Sequence, residues 1–511
     1  MIGRTYKSRR KNSKRNIITG LLKQIVAMVL TFLIRTVILY SLGAEYQGLS
    51  GLFTSILQVL NLTELGFSAA VTFILYKPIA ENNVNAICAI MAFLKKVYKI
   101  IGSIIFFAGL AILPFLTFFI KGDCPQEINI HILYLIYLAN AVVSYMLYAY
   151  KSTLLTAMQR IDLVSNAYTI TNLLGKLLQI FVLLLFKNYY VYVLILPITS
   201  IANNIVVDVM SRKAYPEIKA KGNLEEDIKV SLIKQVKAVF INRIGDIARN
   251  SFDNIVLSSF VGLIAVAVYD NYYYIYSAVY GIMGIIVQSL RASIGNSLVT
   301  ESIDKNYKDL LKFNFIFMWI VGWCTVCMFV LYQPFMKLWM NGNSDLMLPF
   351  KDMLLFCLYF YSISMAYTKN VYLEAQGLFY ESRYLYIFEA LGNLILNIVL
   401  CKFFGITGIL IATIITIFMF NFCGGTVVLF KYYFKNSPRE FSLHHGLYFV
   451  ITVFAGLASY YLCGILPANG VYDLILRLII CILLPNAIYV LAYFKLPQFL
   501  AVKETIRKMI Y

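Results

Sequence analysis

VKAVFINRIGDIARNSFDNIVLSSFV, running from Val236 to Val261, is the stretch on which the number of membrane crossings turns. It carries Arg243, Asp246, Arg249 and Asp253, too many charges for hydropathy alone to mark it as a span. Its flanks decide the matter. Arg212, Lys213, Lys219, Lys221 and Lys229 precede it, and Arg291, Lys305, Lys308 and Lys312 follow the next apolar run. Loops rich in Lys and Arg stay in the cytoplasm. Were 265–290 the only crossing between these two loops, one of them would lie outside, so the spacing predicts a further crossing at 236–261.

Outward from there, apolar runs long enough to span a bilayer fall near 17–42, 52–76, 97–120, 130–157, 164–187 and 189–210 on the N-terminal side. On the C-terminal side they fall near 264–290, 312–336, 346–368, 383–401, 405–430, 446–466 and 472–494. With 236–261 these make about fourteen helices at about 20 residues per crossing. Both termini then lie in the cytoplasm, and most of the 44 Lys and Arg fall in inner loops and tails. The expected fold class is an all-α membrane protein of the cytoplasmic membrane.

Composition agrees. The chain has 511 residues, 60% hydrophobic and 14% charged, against about 45–50% and 25% in soluble domains. The net charge of +19 is spread between apolar runs, where it sets topology, and nucleic acid is not an expected partner. The nine cysteines mostly sit within apolar runs as small hydrophobes. Cys324 and Cys327 form a CxxC without a second pair or a nearby His, so neither a metal nor a cofactor is expected. The basic N-terminus before Ile17 resembles a signal peptide, but the run to Leu42 is too long and lacks a cleavage site, so it reads as a retained span.

The longest basic inner loop divides the helices into two sets of six and a final pair. The expected organisation is a basic cytoplasmic tail at 1–16, an N-lobe at 17–210, a cytoplasmic linker at 211–231, a C-lobe at 232–435, two extra helices at 436–494 and a cytoplasmic tail at 495–511. Transporters built from repeated halves carry their site near the middle of the membrane.

A charge in the hydrocarbon costs about 2.5–3.5 kcal/mol or more, so it normally faces a cavity or a partner. Arg243, Asp246, Asn250 and Asp253 follow helical spacing, with Arg249 between the two acids. Thr54, Gln58, Asn61, Glu64 and Ser68 repeat the pattern, as do Thr169, Asn172, Lys176 and Gln179, and Glu389, Asn393 and Asn397. Arg35 stands in the first span. Such faces are expected to gather around a shared hydrated cavity, although each ion pair could equally be a structural one. Lys23, Asp208, Glu374 and Arg383 lie near the inner surface, where snorkelling is the simpler reading. The run Tyr269, Tyr272, Tyr273, Tyr274, Tyr276 and Tyr280 reads as an interfacial aromatic belt, with sugar stacking as the alternative.

Specific strings add to this. YQGLSGL (Tyr46–Leu52), LTELGFSAAV (Leu62–Val71) and LYKPIAE (Leu75–Glu81) closely resemble the opening of Wzx-type polysaccharide-transporter flippases. YDNY (Tyr269–Tyr272), ASIGN (Ala292–Asn296), KLW (Lys337–Trp339), EAQGLF (Glu374–Phe379) and GITGILIATIIT (Gly405–Thr416) agree in order. Asp270 stands where that family's Y-S-N-Y string has Ser.

The resemblance implies the fold of the multidrug/oligosaccharidyl-lipid/polysaccharide exporter superfamily, with two six-helix lobes around a central cavity and two extra C-terminal helices. It implies an undecaprenyl-diphosphate-linked oligosaccharide as cargo, moved outward by alternating access. Arginine forks suit phosphate oxygens, which makes Arg35, Arg243, Arg249 and Lys176 the expected contacts. Glu64, Asp246 and Asp253 would orient them or bind a coupling proton or sodium ion. Further partners would be membrane lipids and the glycosyltransferases and polymerase of the same pathway.

A drug/cation antiporter or a lipid II flippase of the same fold is the nearest alternative. A membrane glycosyltransferase or polymerase needs acids on substantial outer loops. Here those loops are short, with Glu45, Asp123, Glu127, Asp345 and Asp473, and His131, His444 and His445 have no acid partner in the sequence pattern. The chain is not expected to be an enzyme.

Overall fold

The computed structural model describes residues 6–61, 67–122, 124–224, 226, 229–230, 251–465 and 470–510. Among them the regular structure is helical throughout. The chain forms two compact units, Met1–Ala267 and Val268–Tyr511.

The first unit contains α1 (Tyr6–Ser41), α2 (Ala44–Leu60), α3 (Phe67–Ala80) and α4 (Val84–Ile112), which runs on through a 3₁₀ segment to Phe119. α5 (Ile130–Met146) and α6 (Tyr150–Ala157) follow, then α7 (Ile161–Phe186), α8 (Tyr189–Ala214) and a helix at 251–260, α9. Asparagines start several of these helices by accepting free first-turn N–H groups. Asn83 accepts from Ala86, Asn129 from His131 and Ile132, and Asn188 from Val191. The core is apolar: Leu49, Leu52, Phe53, Ile90, Leu94 and Leu133 are inaccessible to solvent.

α10 (Leu263–Thr300) leads into the second unit, which continues with α11 (Ile303–Trp339), α12 (Phe350–Met365), α13 (Tyr367–Ala375), α14 (Phe379–Phe404) and α15 (Ile406–Thr416). π-helical turns at Ile417–Gly424 and Phe430–Phe434 flank the short α16 (Gly425–Leu429). α17 (Arg439–Gly464), α18 (Gly470–Tyr493) and α19 (Pro497–Ile510) complete the chain. Within 495–511, α19 packs onto α11, with Phe499 stacked 6.2 Å from Trp319.

Among the described residues ten helical segments are long and apolar enough to cross a membrane, or eleven counting α5 and α6, which meet at a 48° bend. Each coincides with a run read from the sequence. The run 264–290 lies inside α10, whereas 52–76 and 236–261 pass through residues outside the described set. Outward faces carry side chains such as Phe107, Phe118, Phe186 and Phe403, all at least 66% exposed. Acyl chains would cover them at no hydrophobic cost.

Two expectations fail in the second unit. The tyrosine run is no interfacial belt: Tyr269, Tyr272 and Tyr276 are buried. Their spacing places them on one face of α10, where Tyr272 stacks on Tyr332 at 5.2 Å and Tyr276 on Tyr359 at 4.6 Å. Burial is tolerated because the Tyr272 hydroxyl donates to Gln333 (2.8 Å) and accepts from the Leu348 N–H (3.2 Å). The α14 stripe is likewise not a wet face. Glu389, Asn393 and Asn397 are at most 1% exposed, and Asn393 donates to Thr413 and Thr416 (3.1 and 3.4 Å). Asn397 in turn donates to the Asn393 side-chain oxygen (3.1 Å), so the two α14 amides and the α15 hydroxyls bond one another without a facing cavity.

Candidate functional site

In the first unit α1 runs along α7, and α7 packs against α8. Arg35 of α1 and Lys176 of α7 both lie within apolar spans. The two cations are close enough for Arg35 to act electrostatically on Lys176, and Arg35 acts in the same way on Tyr192 of α8. Both basic side chains are partly exposed. Among the described residues no carboxylate pairs with Lys176. Two cations so placed can both donate to one anionic group.

Local packing fixes the height of Lys176. At its neighbour Gly175 an added Cβ would stand 2.3 Å from the Thr199 Oγ1, so only glycine allows this approach of α7 to α8. One turn on, the buried Gln179 donates to the Tyr192 carbonyl (3.2 Å). Gly175→Leu is expected to cost about 1–3 kcal/mol through overpacking, with part recovered in Gly175→Leu/Thr199→Ala. Apparent unfolding temperatures of the purified variants measure this.

In the same unit a polar seam joins α2 to α9. Ser251 donates to the Gln58 amide oxygen (3.2 Å) and Asn254 to the Ser55 hydroxyl (3.1 Å). Asp253 on α9 is buried at 1% exposure. Thr54 and Gln58 are exposed although α2 packs into an otherwise apolar unit. Tyr137, Ser50 and Tyr189 continue the polar chain, with the Tyr137 hydroxyl donating to Ser50 (3.0 Å) and the Tyr189 hydroxyl to the Tyr46 carbonyl (2.9 Å).

Thus Arg35 and Lys176 are brought together, and Asp253 is held on α9. Glu64, Arg243, Asp246 and Arg249 lie outside the described residues. Lys23, Glu374 and Arg383 are partly exposed, whereas Asp208 is buried at 5% exposure and does not snorkel. Asp208 pairs with Arg212 at 2.7 Å, Glu374 with Arg291 at 2.7 Å, Lys23 lies over the Tyr168 ring, and Arg383 lies over Tyr380 and Tyr384. No group of three metal-ligating side chains occurs among the described residues.

One buried cation escaped the sequence reading. Lys369 on α13 is 1% exposed, and its ammonium donates to the Asn421 carbonyl and the Asn370 side chain, each at 2.6 Å. Glu389 of α14 acts on it electrostatically. Asn421 lies in a π-helical turn, where the backbone ladder is displaced and carbonyls become available. At Gly425 an added Cβ would stand 2.3 Å from the Lys369 nitrogen. The absent side chain there makes the slot.

Helices of this length and apolarity, with cations held inside them, define a multi-span membrane protein, and its fold is shared with the MOP superfamily. A lipid II flippase, MurJ, in an inward closed conformation matches with a TM-score of 0.65 and 16% identity over 94% of this chain and 98% of that one. An inward-facing multidrug resistance MATE transporter of the MOP superfamily matches at 0.62 and 15% identity, over 81% and 98%. A MOP superfamily transporter from Pyrococcus furiosus, described as having a binding pocket of reverse polarity, matches at 0.58 and 14%, over 84% and 97%. No curated protein sequence matches. The profile described as "Polysaccharide biosynthesis protein" matches residues 13–290, more than half of the chain. The chain belongs to that family.

Proposed function

We propose that this protein is a flippase that carries an undecaprenyl-diphosphate-linked oligosaccharide from the inner to the outer leaflet of the cytoplasmic membrane, for surface polysaccharide synthesis. The observation that carries the reading is the juxtaposition of Arg35 and Lys176 within two packed spans. A diphosphate accepts several charge-assisted hydrogen bonds. Family membership supports a saccharide cargo. Arg243 and Arg249 would add contacts, while Glu64, Asp246 and Asp253 would orient the cations or take up a coupling proton or sodium ion. Membrane lipids surround the cargo's polyprenyl tail, and glycosyltransferases and a polymerase supply and consume the cargo.

The inside-negative potential favours this direction. Each negative charge moved outward gains about 2.3 kcal/mol per 100 mV, so a diphosphate gains roughly twice that without a coupling ion. A cationic drug would meet Arg35 and Lys176 unfavourably, which argues against the antiporter. Lipid II, named for one structural neighbour, shares the lipid-linked character of the proposed cargo.

Deleting the gene in its own host is expected to abolish the surface polysaccharide and leave the lipid-linked precursor on the inner leaflet, with cell-wall growth and cation-drug tolerance unchanged. Arrested wall synthesis would instead assign lipid II as cargo, and lost drug tolerance with normal polysaccharide would assign the antiporter.

A further inference from the structure

A second polar site lies in the Val268–Tyr511 unit, whereas the Arg35–Lys176 pair belongs to the first. The end of α11, the start of α12, the end of α17 and the start of α18 enclose a cleft of about 540 Å³. Arg477 and Asp473, one turn apart on α18, stand in it at 8% and 6% exposure. Both carboxylate oxygens of Asp473 accept from the Arg477 Nε, at 2.9 and 2.8 Å. Neither terminal nitrogen of Arg477 has a hydrogen-bond partner among the described residues. The fork, its best phosphate-binding edge, is therefore unspent.

Lys337, exposed on the last turn of α11, supplies a second cation. With Asp473 set against Arg477 and Lys337, the cleft keeps one unit of positive charge, which a single phosphodiester would neutralise. The opposite wall is aromatic. Phe329, Phe350 and Tyr460 contact one another at ring separations of 5.1–6.0 Å. Phe350 and Tyr460 remain 46% and 44% exposed and continue onto the apolar outer faces of α12 and α17, with Leu354 and Leu457 beside them. Cations within and rings at the mouth form an amphipathic site, placed at helix ends where hydrocarbon meets water.

We propose that this cleft binds the phosphodiester headgroup of a bilayer phospholipid, the phosphate held by Arg477 and Lys337 and the first methylenes of the acyl chains lying on Phe350 and Tyr460. In the topology argued from the loop charges, the end of α11 faces outward, so the lipid comes from the outer leaflet. Retention of this lipid ties the last two membrane helices to α11 and α12.

The test titrates a short-chain phosphatidylglycerol into the full-length protein in neutral detergent and follows the apparent unfolding temperature. Separate arms use short-chain diacylglycerol and inorganic phosphate. A ligand that binds only the folded state raises that temperature with a saturable dependence. The phospholipid is expected to do so, diacylglycerol and inorganic phosphate are not, and Lys337→Gln weakens the apparent affinity about tenfold, the value of one charge-assisted contact. The paired change Asp473→Asn/Arg477→Gln, which avoids a lone buried charge, is expected to weaken it further. Should that pair fail to fold, Lys337→Gln alone decides, since this side chain is exposed. Wild-type affinity in Lys337→Gln, an equal response to diacylglycerol, or an equal response to inorganic phosphate would each overturn the proposal.

Discussion

Replacing Arg35 and Lys176 together by Gln is expected to reduce inter-leaflet transfer of the lipid-linked oligosaccharide by at least about a hundredfold. Each hydrogen bond to a charged group is worth about 1.5–3 kcal/mol, or about tenfold or more in binding. The two side chains approach the same region from α1 and α7, so their losses fall on one ligand. Each single variant should lose about tenfold, and Lys176→Arg should keep most of the activity because it preserves the charge. The measurement is the fraction of oligosaccharide open to an impermeant glycosidase outside reconstituted vesicles. Insertion and the unfolding temperature of each variant are measured alongside transfer. A loss of transfer then reports on the cargo contact rather than on folding.

The second large effect concerns stability. Lys369→Met is expected to destabilise the protein by about 3–5 kcal/mol, since it removes two hydrogen bonds from a charged donor, each worth about 1.5–3 kcal/mol. Glu389 would keep a buried carboxyl without this cation, and the Asn421 carbonyl and Asn370 side chain would lose a donor. Lys369→Met/Glu389→Gln should recover a substantial part, since two neutral groups remain. Unfolding temperature and the yield of folded protein read both variants. Additive losses in the double variant would show that the two residues are not energetically coupled.

These two clusters differ in how far the sequence reveals them. Arg35 and Lys176 interrupt long apolar runs, so their cost in lipid is visible from composition alone. That α1 and α7 lie together is a tertiary fact no spacing states. Lys369 was invisible for a related reason. It stands in the YTKNVYLEA segment at the edge of an apolar run, where a lysine ordinarily snorkels. Its burial depends on the missing side chain at Gly425 and the π-helical turn holding Asn421, both about fifty residues away.

Polar spacing on one helix face also proved two-sided. Thr54 and Gln58 on α2 are open, whereas Glu389, Asn393 and Asn397 on α14 are buried, with Asn393 bonded to Thr413 and Thr416. The same i, i+4 pattern serves either end, because the partner helix decides whether an amide meets water or a hydroxyl of its neighbour. The tyrosines of α10 failed as a belt in the same way, the Tyr272 hydroxyl finding Gln333 and the Leu348 backbone. Crossings, by contrast, were legible wherever twenty apolar residues ran together, since backbone groups in lipid have no alternative to the helix.

The central claim is that Arg35 and Lys176 jointly hold a lipid-borne diphosphate. Its most direct test is the affinity of the purified protein for a short-chain polyprenyl diphosphate beside the same polyprenol without phosphate. The account predicts saturable binding of the diphosphate alone, lost by about a hundredfold in Arg35→Gln/Lys176→Gln. Equal binding of the two lipids, or undiminished diphosphate binding by the double variant, would contradict it.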